Sequence, residues 1–392
     1  MNKKRQISII GGAGHVGFPL GLVLSSKGYD VKLIDKHLGN IKKINSGKIP
    51  FLEKGAGGLL KKMLKKRKIF ATTDFKHIKF SKFIIVCIGT PIDKNLNPET
   101  KNFVNFFKKI KKYIHKDQTI IIRSSVYPGI CEQVYNIIKT KNKNLSYCPE
   151  RIVQGESIKE LPNISQLISG KSKKAISDST ELFNKICKKI IQVKIIEAEL
   201  VKLFSNAYRY IHFSISNQLL MISEKQNLNF FRIRELMKDT YPRNTHIPMS
   251  GFTAGPCLLK DTMQLSSFFN KKFSLGHTAM NVNEGMPNYI IKNLQENFKL
   301  KKKTVGLLGL TFKAESDDIR DSLAIKLLNS LKRKKIKTLY SDEFYKMKGA
   351  INKKELIKKS DIIIISAPHK AYKKINISKN KVLIDIWGHR KN

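Results

Sequence analysis

Short apolar runs alternate with longer amphipathic stretches along most of this chain. Residues 6–10, 31–34, 83–88 and 119–123 form strand-length runs rich in Ile and Val, the composition expected of strands buried on both faces of a parallel sheet. A helix fits 18–27, between the first two runs. From 197 to 227 the period changes. Leu200, Leu203, Phe204, Ala207, Ile211, Ile215, Leu219 and Ile222 recur at helical spacing with no Gly or Pro between them, which predicts a helix on the order of 40 Å long. Such a helix can connect two domains and offer a dimerisation face. After residue 300 the α/β pattern returns, with strands predicted over 304–308, 336–340, 361–366 and 382–387 and a helix over 322–333.

The first run opens directly into Gly12-Ala13-Gly14-His15-Val16-Gly17, and the second ends at Asp35. Strand, glycine turn, helix, strand and acid together form the context in which G-x-G-x-x-G binds a dinucleotide. Gly12 permits the tight turn, Gly14 lets the backbone approach a pyrophosphate, and Gly17 allows close helix-to-strand packing. Unpaired N–H groups at the helix start attract phosphate, so His15 and Val16 join the expected cofactor contacts. Asp35 accepts hydrogen bonds from a ribose diol and favours NAD over NADP, with the neighbouring Lys36 working against that preference. A glycine turn without nucleotide is the alternative. Thr90 and Ser125 follow the third and fourth runs, where strands of an open sheet end and ligands bind; each alone reads as a turn hydroxyl. The predicted fold class is α/β. It comprises an N-terminal Rossmann-type NAD-binding domain (1–195), a central helical and dimerising domain (196–298) and a C-terminal α/β domain (299–392). The last lacks G-x-G-x-x-G, which argues against a second dinucleotide site.

The segment 251–261 places Cys257 in a loop of small residues, with Lys260 and Asp261 shortly after it. A nearby cation favours the thiolate, the form that attacks carbonyls. Taken alone, the position stays open between a nucleophile and a loop thiol. Lys202 and Asn206, four residues apart, share one face of the long helix; without further context they read as solvated surface. The five cysteines contain no C-x-x-C pair, which fits a reducing compartment and neither a disulfide framework nor a cysteine zinc site. No metal site is expected.

Charge complicates this picture. With 75 Lys+Arg against 30 Asp+Glu, the formal net charge is +45, a balance that points toward nucleic acid or an anionic membrane. The lysines are dispersed in short groups such as 61–62, 65–66 and 301–303, with no basic arm and no aromatic stacking platform, so they read as solvated positions and no nucleic-acid partner is expected. No run approaches the roughly 20 apolar residues of a membrane span. The apolar start at 7–10 breaks into glycines too early for a secretory segment, and a cytoplasmic location without membrane insertion is expected. At 392 residues and 41% hydrophobic, the chain has enough apolar material for two or three domain cores.

Seven motifs in order then carry a resemblance along essentially the whole chain. They are Gly12-x-Gly14-x-x-Gly17; Thr90-Pro91; Ser124-Ser125-Val126 with Pro128-Gly129; Pro149-Glu150-Arg151; Glu199-Leu200-x-Lys202 with Asn206; Gly255-Pro256-Cys257 with Lys260-Asp261; and Gly309-Leu310-x-Phe312-Lys313 with Asp317-Asp318-x-Arg320-x-Ser322. The set resembles the UDP-glucose/GDP-mannose dehydrogenase family. Residues 147–152 with Glu160-Leu161 look most like the branch that oxidises UDP-N-acetylhexosamines, UDP-N-acetylmannosamine above all.

The resemblance implies NAD-dependent, four-electron oxidation of a sugar C6 alcohol to a carboxylate through a thiohemiacetal and a thioester on Cys257, for surface-polysaccharide synthesis. It implies that Lys202 and Asn206 stabilise the developing oxyanion, that Asp261 and Ser125 position water, and that Glu150 acts as general base or binds water during hydrolysis. Arg151, Gly255, Phe312 and Lys313 join the expected substrate contacts, with Arg243 reaching substrate across a homodimer interface. Lys260 and Arg320 join the cofactor contacts, the alternative for Arg320 being a salt bridge with Asp317, Asp318 or Asp321. Three positions depart from the pattern: Ser125 replaces Thr and keeps the hydroxyl, Pro256 precedes the cysteine where His, Ser or Tyr is common, and Gln218 replaces Glu.

Overall fold

The computed structural model describes residues 5–253 and 255–390, and the chain divides into two compact units between Ser205 and Asn206. In the first unit the apolar runs become an eight-stranded sheet. Its strands are β1 (Gln6–Ile10), β2 (Asp30–Ile34), β3 (Ile69–Thr72), β4 (Phe83–Val86), β5 (Thr119–Ile122), β6 (Leu145–Tyr147), β7 (Gln166–Gly170) and β8 (Ile190–Gln192), in spatial order 3-2-1-4-5-6-7-8. Pairing is parallel from β3 through β6, and β7 runs antiparallel to β6. Strand order reverses between β1 and β4, and Ile10 pairs with both Ile34 and Val86. The carboxyl ends of three strands are therefore level at the switch point, where open α/β sheets bind ligands. Side-chain alternation sends Ile7, Ile9, Leu33, Ile85 and Ile121 into one core and Ile10, Ile34, Val86 and Ile122 into another. Burial on both faces explains why these strands read as continuous apolar runs.

The second unit contains a four-stranded, all-parallel sheet of β9 (Thr304–Leu308), β10 (Lys337–Ser341), β11 (Ile362–Ile365) and β12 (Val382–Asp385), in order 10-9-11-12. Val305, Leu307, Ile362 and Ile364 pack in one core with Leu323 and Leu327 of the helix Leu323–Arg333, and with Ile290 and Leu294 of the helix Ser274–Asn297. Leu308, Ile363 and Ile365 face the other side. Leu220 and Phe230 belong to the first of these cores. The boundaries expected at 195 and 298 mark changes of element type, whereas packing joins the central helices and the C-terminal sheet in one unit. The long helix spans Ile195–Lys225, two residues earlier at each end than its apolar periodicity predicts, and the division between units falls within it. Among the described residues, no helix is long and apolar enough to cross a membrane.

Candidate active site

In the first unit, β1 runs into a turn whose positive φ falls on Gly11 (+75°), not on Gly12. Gly11 and Gly12 both donate their N–H to the Ile34 carbonyl, at 2.9 and 3.1 Å. A Cβ on Gly17 would lie 2.4 Å from the Gly11 oxygen, so the helix Gly17–Ser26 sits directly against the turn. A Cβ on Gly14 would meet only the Gly11 oxygen, at 3.3 Å, and the space beside Gly14 is open for a pyrophosphate. Asp35 is half-buried and accepts from the Ala13 and His37 N–H groups, each at 3.0 Å. His15 stacks on Phe51 with ring centroids 3.8 Å apart, and Val16 is the residue that caps the helix. These features fit a dinucleotide: an open glycine backbone, a helix N-terminus and an acid at the end of the second strand. Thr90 and Ser125 are brought together, the Thr90 hydroxyl donating to the Ser125 carbonyl.

Arg123, at the end of β5, is 1% exposed and was assigned nothing from the sequence. Its Nε donates to Glu150 Oε2 at 2.7 Å and its Nη2 pairs with the same oxygen; Nη1 donates to the Cys148 carbonyl and to Gln166 Oε1. The guanidinium also lies 5.0 Å from the Phe183 ring centroid. Burial lowers the Arg123 pKa, but the Glu150 charge and three nearby thiols overcome this and raise it. Glu150 Oε1 accepts from the backbone N–H of Arg151 and Ile152, at 2.7 and 3.0 Å. With four donors on its two oxygens, Glu150 is arranged to anchor the segment after β6, and the general-base role expected of it finds no vacant lone pair. The same segment is tied by Glu160, which accepts from the Val153 N–H, and by buried Glu53, which accepts from Gly155 N–H, Ser157 hydroxyl and Ile158 N–H. Arg151 donates to the Ser165 carbonyl. No sequence signal marks Glu53, more than 90 positions away; Arg123 has one, a cation ending an apolar run.

Glu199, 1% exposed on the long helix, accepts from the Gly129 and Cys131 N–H groups at 2.8 and 3.1 Å. It thereby caps the helix Ile130–Ile138, which has no capping side chain of its own at Gly129. One turn further, Lys202 is half-buried and its ammonium has no hydrogen-bond or ion-pair partner among the described residues.

In the second unit, Cys257 is the residue preceding the helix Leu258–Phe268 and is the one exposed cysteine of the five. Burial pushes the Cys87 thiol up to about 12 and the Cys148 thiol up to about 11, and raises Cys131 and Cys187 as well. Those four are poor nucleophiles near neutral pH. Asp261, one turn into the helix, is completely buried and accepts from Asn206 Nδ2 at 2.6 Å, while its other oxygen pairs with the Lys260 ammonium. Asn206 therefore spends one amide hydrogen on Asp261, where the resemblance implied an oxyanion contact. Arg320 takes the alternative considered for it, a bidentate bridge to Asp318 with contacts of 2.6–3.0 Å, and lies within electrostatic reach of Cys257. The Phe312 ring packs against Gly255, and Lys313 is half-buried beside it. Arg243 is exposed and donates to the Tyr241 hydroxyl at 2.6 Å. No cluster of metal-ligating side chains occurs among the described residues.

Comparison with known proteins adds an independent line. Three profiles of the UDP-glucose/GDP-mannose dehydrogenase family match in order: the NAD binding domain at 5–187, the central domain at 196–285 and the UDP binding domain at 306–391. A UDP-N-acetyl-D-mannosamine dehydrogenase of Pyrococcus horikoshii is 28% identical over 394 residues, covering 95% of this chain and 93% of that protein. Protein CapL of Staphylococcus aureus is 25% identical, covering 98% and 96%. The solved structure of the Pyrococcus horikoshii UDP-D-ManNAc dehydrogenase aligns with a TM-score of 0.88 at 25% identity, over 98% of this chain and 100% of that one. A UDP-glucose dehydrogenase from Pyrobaculum islandicum shares the fold at a TM-score of 0.89 and 20% identity, over 98% and 95%.

Proposed function

Because the chain belongs to the UDP-glucose/GDP-mannose dehydrogenase family and is an NAD-dependent nucleotide-sugar dehydrogenase, we propose that it oxidises the C6 alcohol of a UDP-N-acetylhexosamine, with UDP-N-acetylmannosamine preferred. The observation that carries the mechanism is the single exposed thiol, Cys257, at the start of a helix whose next turn holds the buried Asp261–Asn206 pair. Support for the sugar comes from the Pyrococcus horikoshii relative and from the 147–152 motif.

The Gly12–Gly17 turn and Asp35 would hold NAD+, and two NAD+ bound in succession would each accept one hydride. Cys257 Sγ adds to the C6 aldehyde and keeps C6 tethered, first as thiohemiacetal and then as thioester, so no free aldehyde departs. Water adds to the thioester and the thiol leaves as the carboxylate forms. Lys202, whose ammonium has no partner among the described residues, stabilises the oxyanion that appears at each addition. Asp261 orients water or substrate from a position fixed by Asn206 and Lys260. Ser125, whose carbonyl accepts from the Thr90 hydroxyl, would offer its own hydroxyl to position water. Arg151, Phe312, Lys313 and Arg243 contact the nucleotide-sugar, and Glu150 holds the segment that carries Arg151.

The same reading makes the protein a cytoplasmic homodimer serving surface-polysaccharide synthesis. Tyr208, Ile215 and Ile222 support the dimer: they are 62%, 47% and 57% exposed and, at seven-residue spacing, line one stripe of the long helix. A second copy of the chain is the expected cover, and sedimentation velocity of the wild type and Ile215→Glu measures it.

Purified protein is incubated with NAD+ and, separately, UDP-N-acetylmannosamine, UDP-N-acetylglucosamine, UDP-glucose and GDP-mannose while NADH is followed. Two NADH per UDP-N-acetylmannosamine, at the highest kcat/KM of the four, is the expected result. Preference for GDP-mannose, or equal rates on all four, removes the substrate assignment. Full oxidation by Cys257→Ser removes the covalent route.

A further inference from the structure

The loop ahead of the nucleophile rests on two aromatic rings. Gly251 has φ +141°, and a Cβ there would lie 2.4, 2.5 and 2.7 Å from Cε3, Cδ2 and Cζ3 of Trp387. Gly255 has φ +105°, and a Cβ there would lie 2.5 and 2.7 Å from Cδ2 and Cε2 of Phe312. Both positions thus need glycine twice over, for their backbone angle and for the ring against their Cα. Glycine also makes the loop intrinsically free to adopt other paths, so something outside it has to select one.

The rings are themselves held by the C-terminal sheet of the same unit. Trp387 follows β12, and its Nε1 donates to the Ser366 carbonyl, just beyond β11, at 3.2 Å. The Phe312 N–H donates to the Asp318 carbonyl at 3.0 Å. The loop's upstream end is pinned further: the Ser250 hydroxyl donates to the Ile386 carbonyl at 3.4 Å, and the Gly251 N–H donates to buried Asn217 Oδ1 at 2.8 Å. Asn217 donates in turn to buried Asn283 at 2.8 Å. Downstream, the Asp261 N–H donates to the Cys257 carbonyl at 2.9 Å and fixes the first turn of the helix. Between these two anchored ends, the rings of Trp387 and Phe312 are what the loop lies against at both of its positive-φ glycines.

We propose that Trp387 and Phe312 are struts that set the position of Cys257 Sγ, and that Trp387 is a positioning residue for the thiol. The inference rests on the reading of Cys257 as nucleophile. Removing the indole leaves Gly251 unsupported, the loop shifts, and attack geometry is lost. A misplacement of about 1 Å at a reacting centre costs on the order of a hundredfold in rate. A role in packing alone would lower the melting temperature and leave thiol chemistry in the folded protein unchanged.

Trp387 is the only tryptophan in the chain, so its emission reports this contact directly. The full chain is tested as wild type, Trp387→Phe, Trp387→Ala and Cys257→Ser. Expected for Trp387→Ala is a fall in kcat of about tenfold to a hundredfold with KM for NAD+ changed less than about threefold, and recovery of most of that loss in Trp387→Phe. Iodoacetamide labelling of the wild type is expected to shift tryptophan emission as Cys257 is modified, and to leave emission unchanged in Cys257→Ser. Wild-type kcat in a folded Trp387→Ala, or complete labelling of Cys257 without a change in emission, overturns the proposal. The emission experiment needs no tryptophan variant, so it stands even where those variants fail to fold. Cys257→Ser that still completes four-electron oxidation instead overturns the nucleophile reading, whatever Trp387 does. An inactive Cys257→Ser beside a fully active Trp387→Ala overturns the strut alone.

Discussion

The two sheets of this protein place an aspartate at the same topological position and use it in opposite ways. In each, a first strand leads into a glycine with positive φ, a helix returns, and an acid follows the second strand: Gly11 and Asp35 in one, Gly309 and Asp342 in the other. Asp35 is half-buried and takes two backbone donors. Asp342 has a side chain with no exposure and takes four, from Leu310, Thr311, Phe344 and Tyr345, together with His369 Nε2 at 3.2 Å. His369 accepts the Glu315 N–H on Nδ1, so Nε2 carries its proton and donates to Asp342. One acid is left within reach of a ribose diol. The other is consumed in holding the segment after β9, which carries Phe312 and Lys313. Topology sets where a ligand can bind, and saturation of the acid decides what is left to bind it.

The largest expected effect tests the saturated acid. Asp342→Ala removes the acceptor of four backbone N–H groups and of His369 Nε2, most of them at least half-buried, and is expected to cost about 3 kcal/mol in urea unfolding. Asp35→Ala is expected to cost about 1 kcal/mol or less. Equal losses would erase the contrast between the two acids.

Ligand binding sharpens it next. Gly14→Val puts a branched side chain beside the turn, its Cβ 3.3 Å from the Gly11 oxygen, so KM for NAD+ is expected to rise about a hundredfold, near 2.7 kcal/mol, with a much smaller loss of stability than Asp342→Ala. A third, smaller effect concerns Asp35→Asn, expected to raise KM for NAD+ about tenfold and to narrow the preference over NADP+ by removing charge repulsion against the 2′-phosphate. An unchanged KM would mean the ribose lies elsewhere.

The smallest effect is in pH. Burial alone would raise the Asp342 pKa, but the His369 hydrogen bond and backbone N–H groups hold it below the ordinary carboxylate value. A carboxyl with a depressed folded pKa contributes stability above its unfolded pKa of about 3.9 and loses it as pH falls through the folded value. Wild-type unfolding free energy is therefore expected to decline below about pH 4 with a component absent from Asp342→Asn. Parallel acid curves for the two proteins would assign the decline to other carboxyls.

Much of this arrangement was legible in the chain. Runs of Ile and Val announced the strands because both faces of the sheet are buried, and G-x-G-x-x-G before Asp35 announced the crevice because that turn is local. Strand ends were less visible. The run 83–88 continues as apolar sequence past Val86, but the Ile88 carbonyl accepts from the Ser124 hydroxyl and the chain has already left the ladder. Gly12 does sit where the turn admits no side chain, a Cβ there lying 2.6 Å from the Ile9 oxygen, but the positive φ falls on Gly11, which composition cannot distinguish from its neighbour. Arg123 carried no assignment from the sequence, and only convergence of Glu150, Gln166 and the Cys148 carbonyl makes it a buried cation.

The same division holds for the chemistry. Order and spacing along the chain determined the fold class and the family and singled out Cys257 as a candidate, because these depend on short segments whose periodicity and turn residues are written consecutively. Which groups are engaged was decided by tertiary structure. Glu150 is occupied by Arg123, Asn206 donates to Asp261, Arg320 pairs with Asp318 and Asp342 with His369, while the Lys202 ammonium has no hydrogen-bond or ion-pair partner among the described residues and Cys257 is the exposed cysteine. Hydrogen bonds and ion pairs act over about 3 Å, and residues tens of positions apart come within that range only when the sheets and helices have packed.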